Sequence, residues 1–217
     1  MVIAIDGTVA SGKGTVAKLL AKKLNFHYLD TGSIYRAITV LLLNSSLTDK
    51  NWQDKEVKKL LDSAKIEIKA DKILLNGKDI TERIRDNEIS CSVAVFGRSV
   101  LVQDKVHEIQ HQFAQNNDLV VEGRETTSVA FPNAQYKFYM DCDVDLRAKR
   151  RYNDLMRTAK DSNVTLEEVK KQIEERDFLD KTRKISPLVM VKDAIYIDGA
   201  GSPEEVAAKI LDKIGAV

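Results

Sequence analysis

Near the amino terminus, Gly7-Thr8-Val9-Ala10-Ser11-Gly12-Lys13-Gly14-Thr15 gathers glycines, a lysine and hydroxyls into one short stretch. Glycines at this spacing let the backbone curl so that successive amide N–H groups point inward, and the start of a following helix adds partial positive charge. Such a cradle takes a polyphosphate. Within it Lys13 reaches the β and γ phosphates as a mobile point charge, and the Thr15 hydroxyl is placed to orient Mg2+ or its water shell. The competing reading is a glycine-rich turn that binds nothing. Against it stands the context: the apolar run Val2–Ile5 stops at Asp6-Gly7, and Val16, Leu19, Leu20 and Leu24 recur beyond the glycines at helical spacing.

The elements that must position this cradle follow the same alternation. Phe26–Leu29, Leu119–Val121, Lys137–Met140 and Ile195–Ile197 read as further strands, each followed by helical patterning. Five apolar strands separated by helices predict a parallel sheet covered on both faces, an α/β fold. Asp30-Thr31-Gly32 opens a helix running from Ser33 to about Leu43. The last helix carries Ser202 as N-cap, Pro203 at its first position and Glu205 three beyond the cap; Thr165 with Glu168 repeats the device. The middle breaks the rhythm. A polar helix from Trp52 to Ala64 precedes the short strands Ile66–Lys69 and Lys72–Leu75, and Asn76-Gly77 is a hairpin signal, so a small antiparallel insert is predicted. Helix resumes from Arg85 to Ala114, where Val102, Val106, Ile109 and Phe113 form an apolar stripe. From Lys149 to Lys184 charges of both signs suit a solvated helix face.

Length and composition restrict the partners. A chain of 217 residues fits one medium α/β domain with inserts. Its 34 lysines and arginines nearly balance 33 acids, which argues against non-specific nucleic-acid binding, because that needs a one-signed excess. Cys91 and Cys142 fit no metal spacing and read as reduced thiols, with neither disulfide nor zinc expected. His107 and His111 stand four apart, but no third ligand follows. The opening residues show neither a signal peptide nor a membrane span, so a cytoplasmic protein is expected.

Gly14 stands between Lys13 and Thr15, the GKGT form of nucleoside monophosphate kinases. With LDTGSIYR (29–36), LNGKDITERIR (75–85), EGRE (122–125), DLRAKRR (145–151), ERDFLDKTR (175–183), SPL (186–188) and IDGAGSPEEV (197–206), the chain resembles the bacterial-type cytidylate kinases over nearly its whole length. The resemblance implies a P-loop NTPase three-layer fold with a five-stranded parallel sheet. It further implies a single kinase domain: core 1–32, 86–148 and 185–217, a monophosphate-binding arm with the insert at 33–85, and a lid at 149–184, mobile near 150–165. The activity implied is transfer from Mg-ATP to CMP or dCMP by a monomer acting on small nucleotides. UMP or shikimate as acceptor, or a non-catalytic nucleotide-binding switch, are the alternatives.

A second phosphate ester beside a triphosphate demands dense positive charge, and arginine supplies a planar fork that cannot lose its proton. By the resemblance Arg36 and Arg124 are phosphate clamps, while Arg176 and Arg183 contact the nucleotide and the transferred phosphoryl. Lys13, Arg124, Arg176 and Arg183 form the catalytic set. Asp180 lies four residues after Arg176 and three before Arg183, on one helical face; it reads as a salt-bridge ladder or, by the resemblance, as a ribose contact. Ser33 reads equally as an N-cap or a phosphate contact. Arg147 and Arg151 match residues leading into the lid over ATP. Glu122, ending a core strand, can hold a magnesium-bound water or pair with an arginine. The base-reading positions depart from the family: Ala94 stands for a serine, Gln103 for an arginine, Glu125 for an aspartate and Thr127 for a glycine. Glu125 can still accept from the cytosine amino group, and the Gln103 amide suits cytosine or uracil.

Overall fold

The computed structural model describes residues 1–45, 54–69, 72–158 and 164–215, with the side chains of Asn87, Cys91 and Thr158 left aside. The expected helix start at Trp52 and part of the segment expected to form a lid lie outside those residues. The chain divides into two compact units, one made of Met1–Leu29 and Asn116–Val217, the other of Asp30–Gln115.

In the first unit β1 (Val2–Gly7), β2 (His27–Asp30), β6 (Leu119–Gly123), β7 (Tyr136–Asp141) and β8 (Ile195–Asp198) build a five-stranded sheet in the order β2-β6-β1-β7-β8. β1 is central and pairs in parallel with β6 and β7; β8 extends the sheet in parallel beyond β7. Ile3 and Ile5, alternating along β1, pack with Val120, Phe138 and Met140 against α1 (Lys13–Leu24) and α8 (Pro203–Lys213). Ala4 and Val121, on the opposite face, are also fully buried. Such two-sided burial is why these strands read as continuous apolar runs. The register sets Ile5 beside Glu122, Asp6 beside Gly123 and Gly7 beside Met140. The carboxyl ends of the strands therefore open together where the glycine loop begins.

α6 (Val144–Thr158) packs on α7 (Leu166–Thr182) through Ala148, Val169 and Ile173, and Val9 and Ala10 of the loop pack against the same cluster. Both sequence-expected capping boxes form: Thr165 with Glu168 at α7, and Ser202 with Glu205 at α8, where Pro203 holds the first helical position.

In the second unit α2 (Thr31–Leu43) is buried nearly all round, with Ile34, Ile38 and Leu42 fully inaccessible. α4 (Asn87–Phe96) and α5 (Val100–Ala114) pack on it, α3 (Asp54–Ser63) packs on α5, and β3 (Ile66–Lys69), β4 (Lys72–Leu75) and β5 (Lys78–Asp79) form the antiparallel insert. Asn76 and Gly77, at φ 51° and 79°, make the tight turn between β4 and β5.

The helix expected to run unbroken from Arg85 to Ala114 is interrupted. A 3-10 turn (Arg83–Arg85) precedes α4, and Gly97-Arg98-Ser99 separates α4 from α5. Ser99 is extended, at φ −72° and ψ 130°; one turn into α5, Gln103 donates its side-chain Nε2 to the Gly97 carbonyl and its main-chain N–H to the Ser99 carbonyl, both at 3.0 Å, so the break is satisfied locally.

Candidate active site

The glycine loop is held in its curl by contacts that its sequence only partly suggests. A Cβ on Gly7 would stand 1.9 Å from the Met140 carbonyl oxygen, so the close approach of β1 to β7 admits no side chain there. Gly12, the N-cap of α1, lies at φ 91°, the left-handed conformation glycine adopts without strain. Amides that face inward force their carbonyls outward, and each outward carbonyl needs a donor. The Thr8 carbonyl accepts from Ser11 Oγ and Lys13 Nζ, both at 3.0 Å. The Val9 carbonyl accepts from Arg147 Nη1 at 2.9 Å, while the Val9 amide donates to Asp177 Oδ1 at 3.0 Å. Thr8 Oγ1 donates to Asp141 Oδ1 at 2.5 Å.

Lys13 is 6% exposed, and its Nζ lies 3.9 Å from Glu122 Oε2. Burial, aided by the nearby Arg124 guanidinium, pulls its pKa down to about 8; Glu122, Asp6 and Asp180 resist that fall. Asp6, fully buried, accepts from the amides of Thr126 and Thr127 at 3.0 and 2.7 Å and from Thr127 Oγ1 at 2.6 Å. Burial raises its pKa against the lowering effect of those hydrogen bonds. The three donors belong to a π-helical turn, Thr126–Ala130, that follows Arg124 and Glu125 directly, so Asp6 fastens that segment to the root of the glycine loop.

Cations then converge on two buried carboxylates. Arg124 Nε donates to Asp180 Oδ2 at 3.0 Å and Arg176 Nε to Asp180 Oδ1 at 3.1 Å, giving each carboxylate oxygen its own guanidinium. Burial opposes the charge on Arg124, but Asp180 and Glu122 outweigh it and raise the pKa of the guanidinium. Arg183 Nη2 donates to Glu125 Oε2 at 2.6 Å. Arg183 does not share the helical face of Arg176 and Asp180: α7 ends at Thr182, and Arg183 is extended at ψ 141°, which turns its side chain toward Glu125 and the Ser186 carbonyl. Ser33 is likewise not the N-cap of α2. Asp30 caps that helix, accepting from the Ser33 amide at 3.2 Å and from its hydroxyl at 2.7 Å, because the helix begins two residues earlier than its pattern suggests.

The remaining sequence-selected residues are placed as follows. The Thr15 side chain is exposed at the first turn of α1, and Glu122 Oε1 would lie 3.5 Å from a Cβ on Gly14. Arg147 is 6% exposed and bound to the loop, whereas Arg151, one turn further along α6, is exposed. In the second unit, Arg36 extends over Gly32, whose Cβ would lie 3.0 Å from Arg36 Nη1, and Gln103 is buried. Among the described residues no group of three His, Cys, Asp or Glu side chains is arranged to hold a metal ion.

Sequence reasoning passed over Asp177, Asp141, Asp6 and Arg150. A signal for one was present: Val169, Ile173, Asp177 and Asp180 repeat at intervals of four, four and three along α7, so the acids continue its buried stripe. Acids at core positions of a helix need cationic or amide partners.

A family model described as cytidylate kinase matches residues 3–216. A cytidylate kinase of Carboxydothermus hydrogenoformans is 43% identical, covering 99% of this chain and 97% of that protein. One of Fusobacterium nucleatum is 39% identical over 91% and 89%, respectively. A solved shikimate kinase from Bacteroides thetaiotaomicron superposes with a TM-score of 0.52 at 12% identity, covering 99% of this chain and 98% of its own, a likeness of fold alone.

Proposed function

Because the chain belongs to the cytidylate kinase family, we propose that it transfers the γ-phosphoryl group of ATP to CMP or dCMP, forming CDP or dCDP and ADP. The observation that carries this reading is a phosphate loop already curled, with Lys13 inside it, beside guanidiniums that Asp180 and Glu125 hold in fixed positions. A phosphate oxygen of the acceptor attacks the γ-phosphorus while the bond to the β-phosphate oxygen breaks and ADP leaves. The attacking oxygen is already ionised near neutral pH, so no side-chain base is required. Alignment and charge compensation supply the rate.

In this reading the loop 7–15 holds the donor phosphates, with Lys13 on the β and γ groups and Arg147 and Arg151 on the donor side. Arg124, Arg176 and Arg183 neutralise the transferred phosphoryl. Ser33, Arg36, Gln103, Arg124, Glu125, Arg176, Asp180 and Arg183 bind the acceptor. Asp180 exchanges part of its guanidinium contacts for ribose hydroxyls, and residues 149–184 act as the lid that excludes water. Magnesium enters with the nucleotide; the exposed Thr15 hydroxyl and the Glu122 carboxylate suit its water shell. When bound it neutralises charge on the β and γ oxygens. The enzyme acts as a cytoplasmic monomer on small nucleotides, with no nucleic-acid or membrane partner.

A coupled assay of ADP release with CMP, dCMP, UMP, AMP and shikimate tests the assignment. Turnover of CMP or dCMP well above the others is expected. Equal and negligible rates with both cytidine nucleotides would overturn it.

A further inference from the structure

Arg150 lies on α6 three residues beyond Arg147 and spends its guanidinium on main-chain carbonyls. Its Nη1 donates to the Gly199 carbonyl at 2.8 Å and, more weakly, to Ser11 at 3.4 Å; its Nη2 donates to Gly201 at 2.9 Å and Ala200 at 3.2 Å. Nη1 also meets Cys142 Sγ at 3.8 Å. Gly199 follows the end of β8, and a Cβ there would come within 2.8 Å of the Ser11 carbonyl oxygen, so the two loops are packed as closely as main chains allow. A Cβ on Gly12 would be 3.6 Å from Arg150 Nη1, which puts the guanidinium directly behind the N-terminus of α1.

We propose that Arg150 is a positioning residue for the donor phosphates: it clamps the outward Ser11 carbonyl to the carbonyls of 199–201, so that the glycine loop keeps its amides aimed inward before nucleotide arrives. The inference rests on the kinase reading only for its turnover measurements. The carbonyl of a residue cannot turn inward without turning the next amide outward, because the peptide unit is planar. Holding the Ser11 carbonyl therefore fixes the Gly12 amide. Arg147 does the same two residues earlier, at Val9, so that Arg147 and Arg150 of α6 brace both shoulders of the loop. Only a guanidinium can serve at 150, because its fork reaches several acceptors at once whereas an ammonium is a compact point charge.

The test uses Arg150→Lys, which keeps the charge and loses the fork, and Arg150→Met, which loses both, with Lys209→Met on the exposed face of α8 as control. Losing charge-assisted hydrogen bonds weakens binding by about tenfold or more. The Kd for inorganic triphosphate, by calorimetry, and the KM for ATP should rise by that factor in Arg150→Lys, with the CMP KM within about twofold and Tm nearly unchanged. Arg150→Met should be at least as impaired, and the control normal. Donor constants unchanged in Arg150→Lys would overturn the proposal. So would a parallel loss for both substrates together with a lowered Tm, the mark of a merely structural role. Should Arg150→Met fail to fold, Arg150→Lys decides alone. If the wild-type protein fails to phosphorylate CMP, the functional reading falls while the triphosphate titration still judges Arg150.

Discussion

Arg183 Nη2 and Glu125 Oε2 lie 2.6 Å apart across 58 residues of sequence, with the two side chains 15% and 5% exposed. The pair couples the end of α7 to the segment after β6, and each partner answers for the other's charge.

Removing one partner should therefore have two separable effects. Arg183→Ala removes the guanidinium that stands 2.6 Å from a buried carboxylate and should cost about 3 kcal/mol of stability, together with most phosphoryl transfer. ATP affinity should be largely kept. Adding Glu125→Gln should recover stability without recovering turnover, which denaturant titration and single-turnover kinetics would separate. Normal turnover in Arg183→Ala would remove this residue from the reaction.

Lys13 predicts opposite pH trends for activity and stability. In the free protein its pKa is about 8, against 10.5 in an exposed lysine. The unfolded chain therefore holds a proton between about 8 and 10.5 that the folded chain has released, so this group's contribution makes stability rise with pH across that window. Phosphate binding needs the charged form. The kcat/KM for ATP should fall with an apparent pKa near 8, whereas kcat at saturating ATP should fall only at higher pH, since bound phosphates favour the ammonium. Lys13→Arg should lose that alkaline fall in kcat/KM, because guanidinium does not titrate there.

The two loop glycines should differ in kind. Gly7→Ala drives a Cβ to 1.9 Å from a main-chain oxygen and should prevent native folding or cost more than about 3 kcal/mol. At Gly12 the nearest atoms are 3.6 Å away, so Gly12→Ala meets only backbone strain at φ 91° and should cost about 1–2 kcal/mol. Circular dichroism and urea titration would rank them, and equal penalties would contradict the assigned geometry.

Asp177 holds the Val9 amide at 3.0 Å and Arg147 at 2.5 Å. Asp177→Ala should destabilise by about 3 kcal/mol, because it takes from a buried guanidinium its nearest carboxylate and leaves Asp141 at 3.6 Å, and should weaken ATP binding. Asp177→Leu combined with Arg147→Met should recover most of the stability but not the affinity. Recovery of both would show that the pair serves packing alone.

What could be read from the residues was whatever depends on near neighbours along the chain. The Gly7–Thr15 spacing, the strand before it and helix after it, the Asn76-Gly77 turn and both capping boxes are short-range features, and the family motifs are contiguous strings. The central sheet followed, because five apolar runs alternating with helices leave few ways to bury both faces. The break at Gly97–Ser99 was less legible, since the apolar stripe of α5 runs smoothly into the helical pattern before it.

The partners of the charged groups were decided only in three dimensions. Helical periodicity pairs residues three or four apart, so it captured Arg176 with Asp180 but also assigned Arg183 to a face it leaves when α7 stops one residue earlier. Arg124 finds Asp180 at a separation of 56 residues, and Arg150 reaches the loop after β8 at separations of 49 to 51. Such pairings follow from how α6 and α7 pack and from where strands end, and Coulomb attraction, which has no sequence direction, simply takes the partner that burial brings within reach.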